Sequence, residues 1–278
     1  MNSRSLSVTA ALVNDTFREA FSRKIFWGFL ACSTLLIVFF LFMLRIDVVQ
    51  GAVATMSLFG NTSRAQDVHK LLRQVHAAIG AFLFTAGMFL AVFASAGLIP
   101  SVFEPGRIEL LLSKPIHRYQ ILVGRYIGNL LVIAVNVCYL VLSVWLILGI
   151  KTGIWTYGFL WSSAFTVFVF AILLTVVVLI GVLWESAAIA TMVTFGLILV
   201  SPILAQKPLL ERLLDSETSR NVVRTLYYIL PKVFDLGRIT RELVLGEPVT
   251  DWMPIWSSAL FGVVIFGVSL FAFARRNY

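Results

Sequence analysis

The stretch YGFLWSSAFTVFVFAILLTVVVLIGVLWESAAIATMVTFGLILVSPILA, residues 157–205, decides the fold. Its 49 residues hold one charged side chain, Glu185. A single helix of that length would reach roughly 70 Å, more than twice the roughly 30 Å of a hydrocarbon core. Trp184-Glu185-Ser186 is therefore expected to reverse the chain, giving two spans, 157–183 and 187–205. Lipid offers no hydrogen-bond partner to an open backbone, so each span must be helical. The alternating pattern of a membrane β-strand is absent.

Four further runs have the same character: 25–44, 77–99, 126–150 and 255–274. None of the six runs contains Asp, Glu, Lys or Arg. The expected fold is an all-α integral membrane protein with six transmembrane helices in one domain, residues 1–278. The whole composition agrees. Of 278 residues, 59% are hydrophobic and 13% charged, and mean hydropathy is +0.93. A soluble domain is nearer half apolar and a quarter charged, and a chain this size could not hide the excess in one core. The net charge of +8 is spread between apolar runs, where topology and anionic lipid headgroups account for it. No basic-aromatic patch of a nucleic-acid-binding kind is present. The first run is longer than a signal-peptide core and is read as a retained helix.

With the N-terminus inside, ten Lys and Arg fall on the inner side and twelve on the outer, seven of them within 206–254. The total does not fix orientation; the Arg23-Lys24 pair directly before the first span favours N-in. Residues 1–24 are then a cytoplasmic segment. Leu6, Ala10, Val13, Phe17 and Phe21 recur at helical spacing there, as in a helix lying on the membrane surface or packed on protein. Arg45–His76 carries Val68, Leu71, Leu72 and Val75 at helical spacing. The extracytoplasmic segment 206–254 holds three apolar groups, around Leu209–Leu214, Val222–Leu226 and Val233–Val244, expected to form two or three short helices capping the outer face.

Chemistry is conspicuous by what is missing. No ionisable group lies within the spans, as an ion-coupled carrier would need; His76 sits at the edge of the second. Asn136 is read as an interhelical hydrogen-bond group. Cys32 and Cys138 lie within apolar runs and are read as buried thiols. His69 and His76 could share a helix face, but a metal site would need further ligands. There is no His-Glu-x-x-His motif, no Gly-x-Ser-x-Gly elbow and no Gly-Lys dipeptide, so the chain cannot form a Gly-x4-Gly-Lys-Ser/Thr phosphate loop. No catalytic residue, metal or bound cofactor is expected, and a membrane-embedded enzyme finds no catalytic group here.

The informative polar stretch is SVFEPGRIELLLSKPIHRYQILVGR, residues 101–125. Glu104-Pro105-Gly106 is a turn. Arg107–Ser113 reads as a short helix with Ile108, Leu111 and Leu112 on one face, and Pro115 stops it. Ile116–Val123 restarts a helix that feeds Gly124 and the third span. Such a helix could seat leucines in a groove of a soluble partner, or it could be a plain surface hairpin.

Residues 104–116, with Arg118 and Gly124-Arg125-Tyr126-Ile127-Gly128, resemble the coupling segment of type-2 ATP-binding-cassette transporter permeases. The likeness extends over the chain and includes Tyr227-Tyr228-Ile229-Leu230-Pro231, a Tyr-x-x-x-Pro-like pattern before the last span. Within the family the chain looks most like the permeases associated with copper-site maturation of nitrous-oxide reductase. The resemblance implies a cytoplasmic coupling helix in which Glu104, Gly106, Arg107, Ile108, Glu109, Leu111, Leu112, Ser113, Lys114, Pro115 and Arg118 dock on an ATPase. His117 stands where a small polar residue is expected. It implies two copies of a cytoplasmic ATPase subunit holding ATP and Mg, a second permease chain (a homodimer before a heterodimer), and a bacterial inner membrane with both termini cytoplasmic. Ser258 and Gly262 would allow close helix approach at a dimer face. Export of an amphipathic or lipid-like substrate and force transmission to an extracytoplasmic partner both fit this architecture.

Overall fold

The computed structural model describes residues 3–22, 24–43, 45–49, 53–58, 61–62, 66–95, 117–153, 155–213 and 216–276. Ten helices form its body: α1 Ser3–Ser22, α2 Lys24–Met43, α3 Val68–Ser95, α4 Arg118–Thr152, α5 Trp161–Trp184, α6 Ala187–Ala205, α7 Lys207–Leu213, α8 Glu217–Ile229, α9 Val233–Leu245 and α10 Met253–Arg275. A 3-10 turn, Tyr157–Leu160, leads into α5.

Among the described residues, five helical segments are long and apolar enough to cross a membrane: Arg73–Ser95, Arg118–Lys151, Tyr157–Trp184, Ala187–Ala205 and Met253–Arg275. A sixth is reached by counting Ala10–Ser22 and Phe26–Phe42 together, a pair bent by 69°. Helix α2 is the apolar limb of that pair.

The all-α expectation holds for this membrane body. Between α2 and α3 the chain departs from it, pairing β1 (Arg45–Val49) antiparallel with β2 (Val53–Leu58), in register Arg45↔Ser57 to Val49↔Val53. The short β3 (Asn61–Thr62) and β4 (Gln66–Asp67) also pair with β2. Val48, Val49, Val53 and Thr55 are β-branched and flank Gly51, a hairpin composition. The helical spacing of Val68 to Val75 is realised as the first turns of α3.

The reversal at residues 184–186 follows the sequence. Glu185 takes the left-handed conformation, φ 54°, and its N–H closes α5 on the Gly181 carbonyl at 3.0 Å. Ser186 Oγ then caps α6 by accepting from Ile189 N at 3.4 Å.

The core centres on α5, where 72% of the apolar window is buried, against 28% for α6 and 22% for α10. Phe170, Leu173, Leu174 and Val177 of α5 are wholly enclosed. The small-residue stripe of α10 is used here rather than at a dimer face. A Cβ on Gly262 would lie 3.4 Å from Ile172 of α5, and Ser258 is buried, its Oγ accepting from Lys232 N at 3.0 Å. Asn136 likewise departs from its expected role: its Nδ2 donates within α4, to Val132 O at 3.4 Å.

The three apolar groups of 206–254 become α7, α8 and α9. Helix α8 lies on the surface with no buried residue. Helix α9 packs against the bundle, because Val233, Leu236, Ile239 and Val244 give it a buried face. That face meets α3 at Gly80 and Phe84, whose distances from Val244 and Gly237 are 3.5 Å and 3.0 Å measured to the glycine Cβ positions. Its amide at Phe234 donates to Ser201 Oγ of α6 at 2.9 Å. Gly80 and Phe84 lie seven and eleven residues inside Arg73, roughly 10–16 Å along α3. Helix α9 thus packs along the side of α3, within the stretch that forms a candidate span.

Candidate functional site

The end of the bundle that carries both chain termini holds a polar assembly on an apolar scaffold. Helix α4 begins there. The Gln120 side chain accepts from His117 N at 3.1 Å, and the backbone bond Gln120 N to His117 O (2.9 Å) completes its first turn. The helix then runs without a break through Gly124 into the membrane. The sequence suggests a helix restarting at Ile116–Val123 and feeding the third span through Gly124; the structure shows one continuous rod from Arg118 to Thr152.

Against that rod lies α1. Leu12, Thr16 and Ala20 form its buried face. The approach is close because α4 offers glycines: a Cβ on Gly124 would fall 2.6 Å from Leu12 Cβ, and one on Gly128 2.6 Å from Thr16 Cβ. Phe17 is half-buried while Ala10 and Phe21 stay exposed. The face of Leu12, Thr16 and Ala20 therefore packs on protein, as one of the two readings of the amphipathic pattern has it.

An ionic clamp locks this contact. The Arg125 guanidinium, 2% exposed, donates from Nη1 to Glu19 Oε2 at 2.5 Å and from Nη2 to Asp15 Oδ2 at 2.6 Å. Asp15 and Glu19 are one turn apart on α1, so one planar fork spans both carboxylates, which a lysine ammonium could not do. One turn further along α4, Asn129 is buried and its Nδ2 reaches the Ser95 carbonyl at 3.5 Å, tying α4 to the end of α3.

Beside the clamp, Arg118 Nη1 donates to the Arg276 carbonyl at 2.5 Å. Arg276 pairs with Glu185 at 2.8 Å and donates to the Val182 carbonyl. One lattice of charge-assisted bonds thereby links the start of α4, the α5–α6 turn and the end of α10.

Of the sequence-predicted docking residues, Arg118 lies in this lattice. Glu104, Gly106, Arg107, Ile108, Glu109, Leu111, Leu112, Ser113, Lys114 and Pro115 lie outside the described residues. Arg125, Asp15 and Glu19 were not singled out from sequence. The available signal was Gly124-x3-Gly128 around an arginine, with two acids one turn apart in the preceding amphipathic segment. Of the histidines, His76 is buried edge-on to Phe159 with ring centroids 5.9 Å apart. Among the described residues no group of three His, Cys, Asp or Glu could hold a metal.

At the opposite end the Tyr227–Pro231 pattern makes the joint between α8 and α9. Lys232 is buried; its Nζ donates to Ser257 Oγ at 2.9 Å and stands 4.8 Å from the Tyr227 ring centroid. Lys207 approaches the Tyr228 ring at 5.1 Å, so two cations share two aromatic rings. The Tyr227 hydroxyl donates to Asp235 Oδ2 at 3.2 Å. Burial, then the Asp235 charge, push the Tyr227 phenol from 10.0 up to about 12. Burial lowers Lys232 and raises Asp235, each opposed by the other's charge.

A raised phenol pKa means that the folded chain holds its proton more tightly than the unfolded one. The Tyr227 contribution is complete below pH 10 and is lost as pH climbs towards about 12. We expect the thermal midpoint of purified protein to fall across that window, and Tyr227→Phe to flatten part of the fall. An unchanged slope in the variant would remove Tyr227 from the account.

The bundle, with its apolar spans and charged termini end, defines a multi-pass membrane protein. A family model described as ABC-2 family transporter protein matches residues 10–278, and the chain belongs to that family. No curated protein matches it. Members are membrane components of transporters, not catalytic by themselves, and in general the family implies a cytoplasmic ATP-binding-cassette ATPase as partner.

Proposed function

We propose that this chain is the permease half of an ATP-binding-cassette exporter, borrowing force from a separate ATPase through residues 104–118. The observation that carries the proposal is the continuity of α4 from its His117 cap into the membrane, with Arg125 clamping α1 to the same rod. Any displacement of the segment before His117 acts on a helix of 35 residues, roughly 50 Å long. The clamp carries α1 with it, and the Arg118–Arg276 bond carries the end of α10. Push at one end thus becomes rearrangement of several spans.

In this reading two permease chains, preferably identical, meet two ATPase subunits that hold ATP and Mg. Both termini and the clamp face the cytoplasm of a bacterial inner membrane, and α7 to α9 face outward. The cargo is amphipathic or lipid-like.

The test is Leu111→Asp with Leu112→Asp, made in the intact complex. The expected result is loss of the ATPase on purification, with the membrane part still monodisperse and its thermal midpoint unchanged. If the ATPase co-purifies at wild-type levels, the docking assignment is wrong.

A further inference from the structure

A cavity of about 320 Å³ lies between α3, α6 and α9. Phe84 and Met88 of α3 and Ile198 of α6 make its walls, all three buried apolar side chains. From α9 it receives Val233, Phe234, Gly237, Arg238 and Arg241. The last four are spaced i, i+3, i+4 and i+7, one continuous helix face. That face therefore carries two positive charges. The acids of α9 lie off it: Asp235 turns to Tyr227, and Glu242 stands 3.7 Å from Arg238 Nε, a long contact with an exposed partner.

Arginine in this position needs a reason. Helix α9 packs on the side of α3, and Arg238 and Arg241 are exposed at the cavity's edge. Glu242 offsets one of the two charges, and the net positive charge left beside an apolar hole is one that an anionic headgroup complements. A guanidinium pair one turn apart matches the geometry of a phosphate. The hole beneath is at the small end of ligand cavities and dry in character, fit for a hydrocarbon chain and not for a polar solute.

We infer that this cavity binds an anionic phospholipid. One acyl chain enters the slot against Phe84, Met88 and Ile198, and the phosphate lies between Arg238 and Arg241. Gly237 keeps the slot open, since a side chain there would begin 3.0 Å from Phe84. As a statement about cargo the inference rests on the export reading; as a statement about binding it does not.

The experiment uses the full chain in neutral detergent, with retained lipid read by native mass spectrometry after mixing with equal phosphatidylglycerol and phosphatidylcholine of identical chains. Phosphatidylglycerol is expected to be retained at least tenfold over phosphatidylcholine, and inorganic phosphate is expected not to displace it. Arg238→Gln with Arg241→Gln should abolish the preference, while Arg238→Lys with Arg241→Lys, which folds under the same constraints, should keep most of it. Thr85→Phe, which fills the slot from an exposed position and leaves both arginines, should reduce retention of either lipid at least tenfold.

Equal retention of the two lipids by the wild type, displacement by phosphate alone, or wild-type behaviour of the glutamine pair or of Thr85→Phe would each overturn the site. Selective binding without ATP-dependent removal of the lipid in the assembled complex would leave the site standing and sink the export reading. Unselective binding with ATP-dependent export of another molecule would do the reverse.

Discussion

Arg125→Leu is expected to undock α1 from the bundle and to uncouple ATP hydrolysis from any work in the membrane. The guanidinium is enclosed, and Glu19 is only 10% exposed, so the substitution removes a cationic partner from a nearly buried carboxylate. Removing one member of a buried ion pair costs about 3–5 kcal/mol. Asp15, at 55% exposed, adds little to that cost because water replaces its partner. Arg125→Lys keeps the charge but cannot span two acids, and an intermediate loss is expected. The readout is the labelling rate of a cysteine placed at Leu12, buried at 6% exposure in the docked state. Fast labelling in Arg125→Leu, slow labelling in wild type and an intermediate rate in Arg125→Lys are expected. Slow labelling in all three would mean that steric fit alone holds α1.

Gly128→Leu attacks the same contact by another route, since its side chain would begin 2.6 Å from Thr16 Cβ. Two substitutions that break one interface should be strongly non-additive. The double variant is therefore expected to unfold little below the worse single one. This separates a local undocking of α1 from general damage to α4.

The six apolar runs and the 184–186 reversal were readable because each rests on one dominant force. An apolar run in lipid has only the helix open to it, and an interrupted run of such length must turn. The clamp was hidden because its partners are about a hundred residues apart and each has an ordinary local explanation. Arg125 reads as a flanking positive charge, and Asp15 and Glu19 as the solvated side of an amphipathic helix. Only the docking of α1 across Gly124 and Gly128 joins them. The close packing of helix α9 was hidden for a similar reason. Arg238, Arg241 and Glu242 mark it as a surface segment, yet its opposite face, Leu236, Ile239 and Val244, is fully buried. Composition averages the two faces; only register separates them. Ser258 and Gly262 illustrate the converse, where a pattern that permits close approach does not say which helix approaches.

Gly158→Val is expected to displace α9 and with it one wall of the phospholipid cavity. A Cβ at Gly158 would lie 2.4 Å from the Leu243 carbonyl oxygen and 3.5 Å from Val244 Cα. Both neighbours are backbone, so no rotamer change can relieve the clash, and the 3-10 turn must part from α9. The glycine is needed here for closeness and not for backbone conformation, since positive φ among the described glycines is confined to Gly153 and Gly246. Overpacking of this kind costs about 3 kcal/mol, the upper part of its usual range. By contrast Gly267→Ala meets nothing within 4 Å, and the gain in helix propensity makes it neutral or stabilising by up to about 1 kcal/mol. The loss should be local at first, because α9 is held by side faces of α3, α5 and α6, whose own packing does not pass through Gly158. A cysteine at Ile239, 1% exposed, should thus become reactive in Gly158→Val before the thermal midpoint of the bundle is reached. In Gly267→Ala it should stay protected. The same variant should lose its preference for phosphatidylglycerol although both arginines remain, because the charges would no longer stand over the slot. Retained selectivity with a reactive Ile239→Cys would show that the arginines bind phosphate without help from the cavity below them.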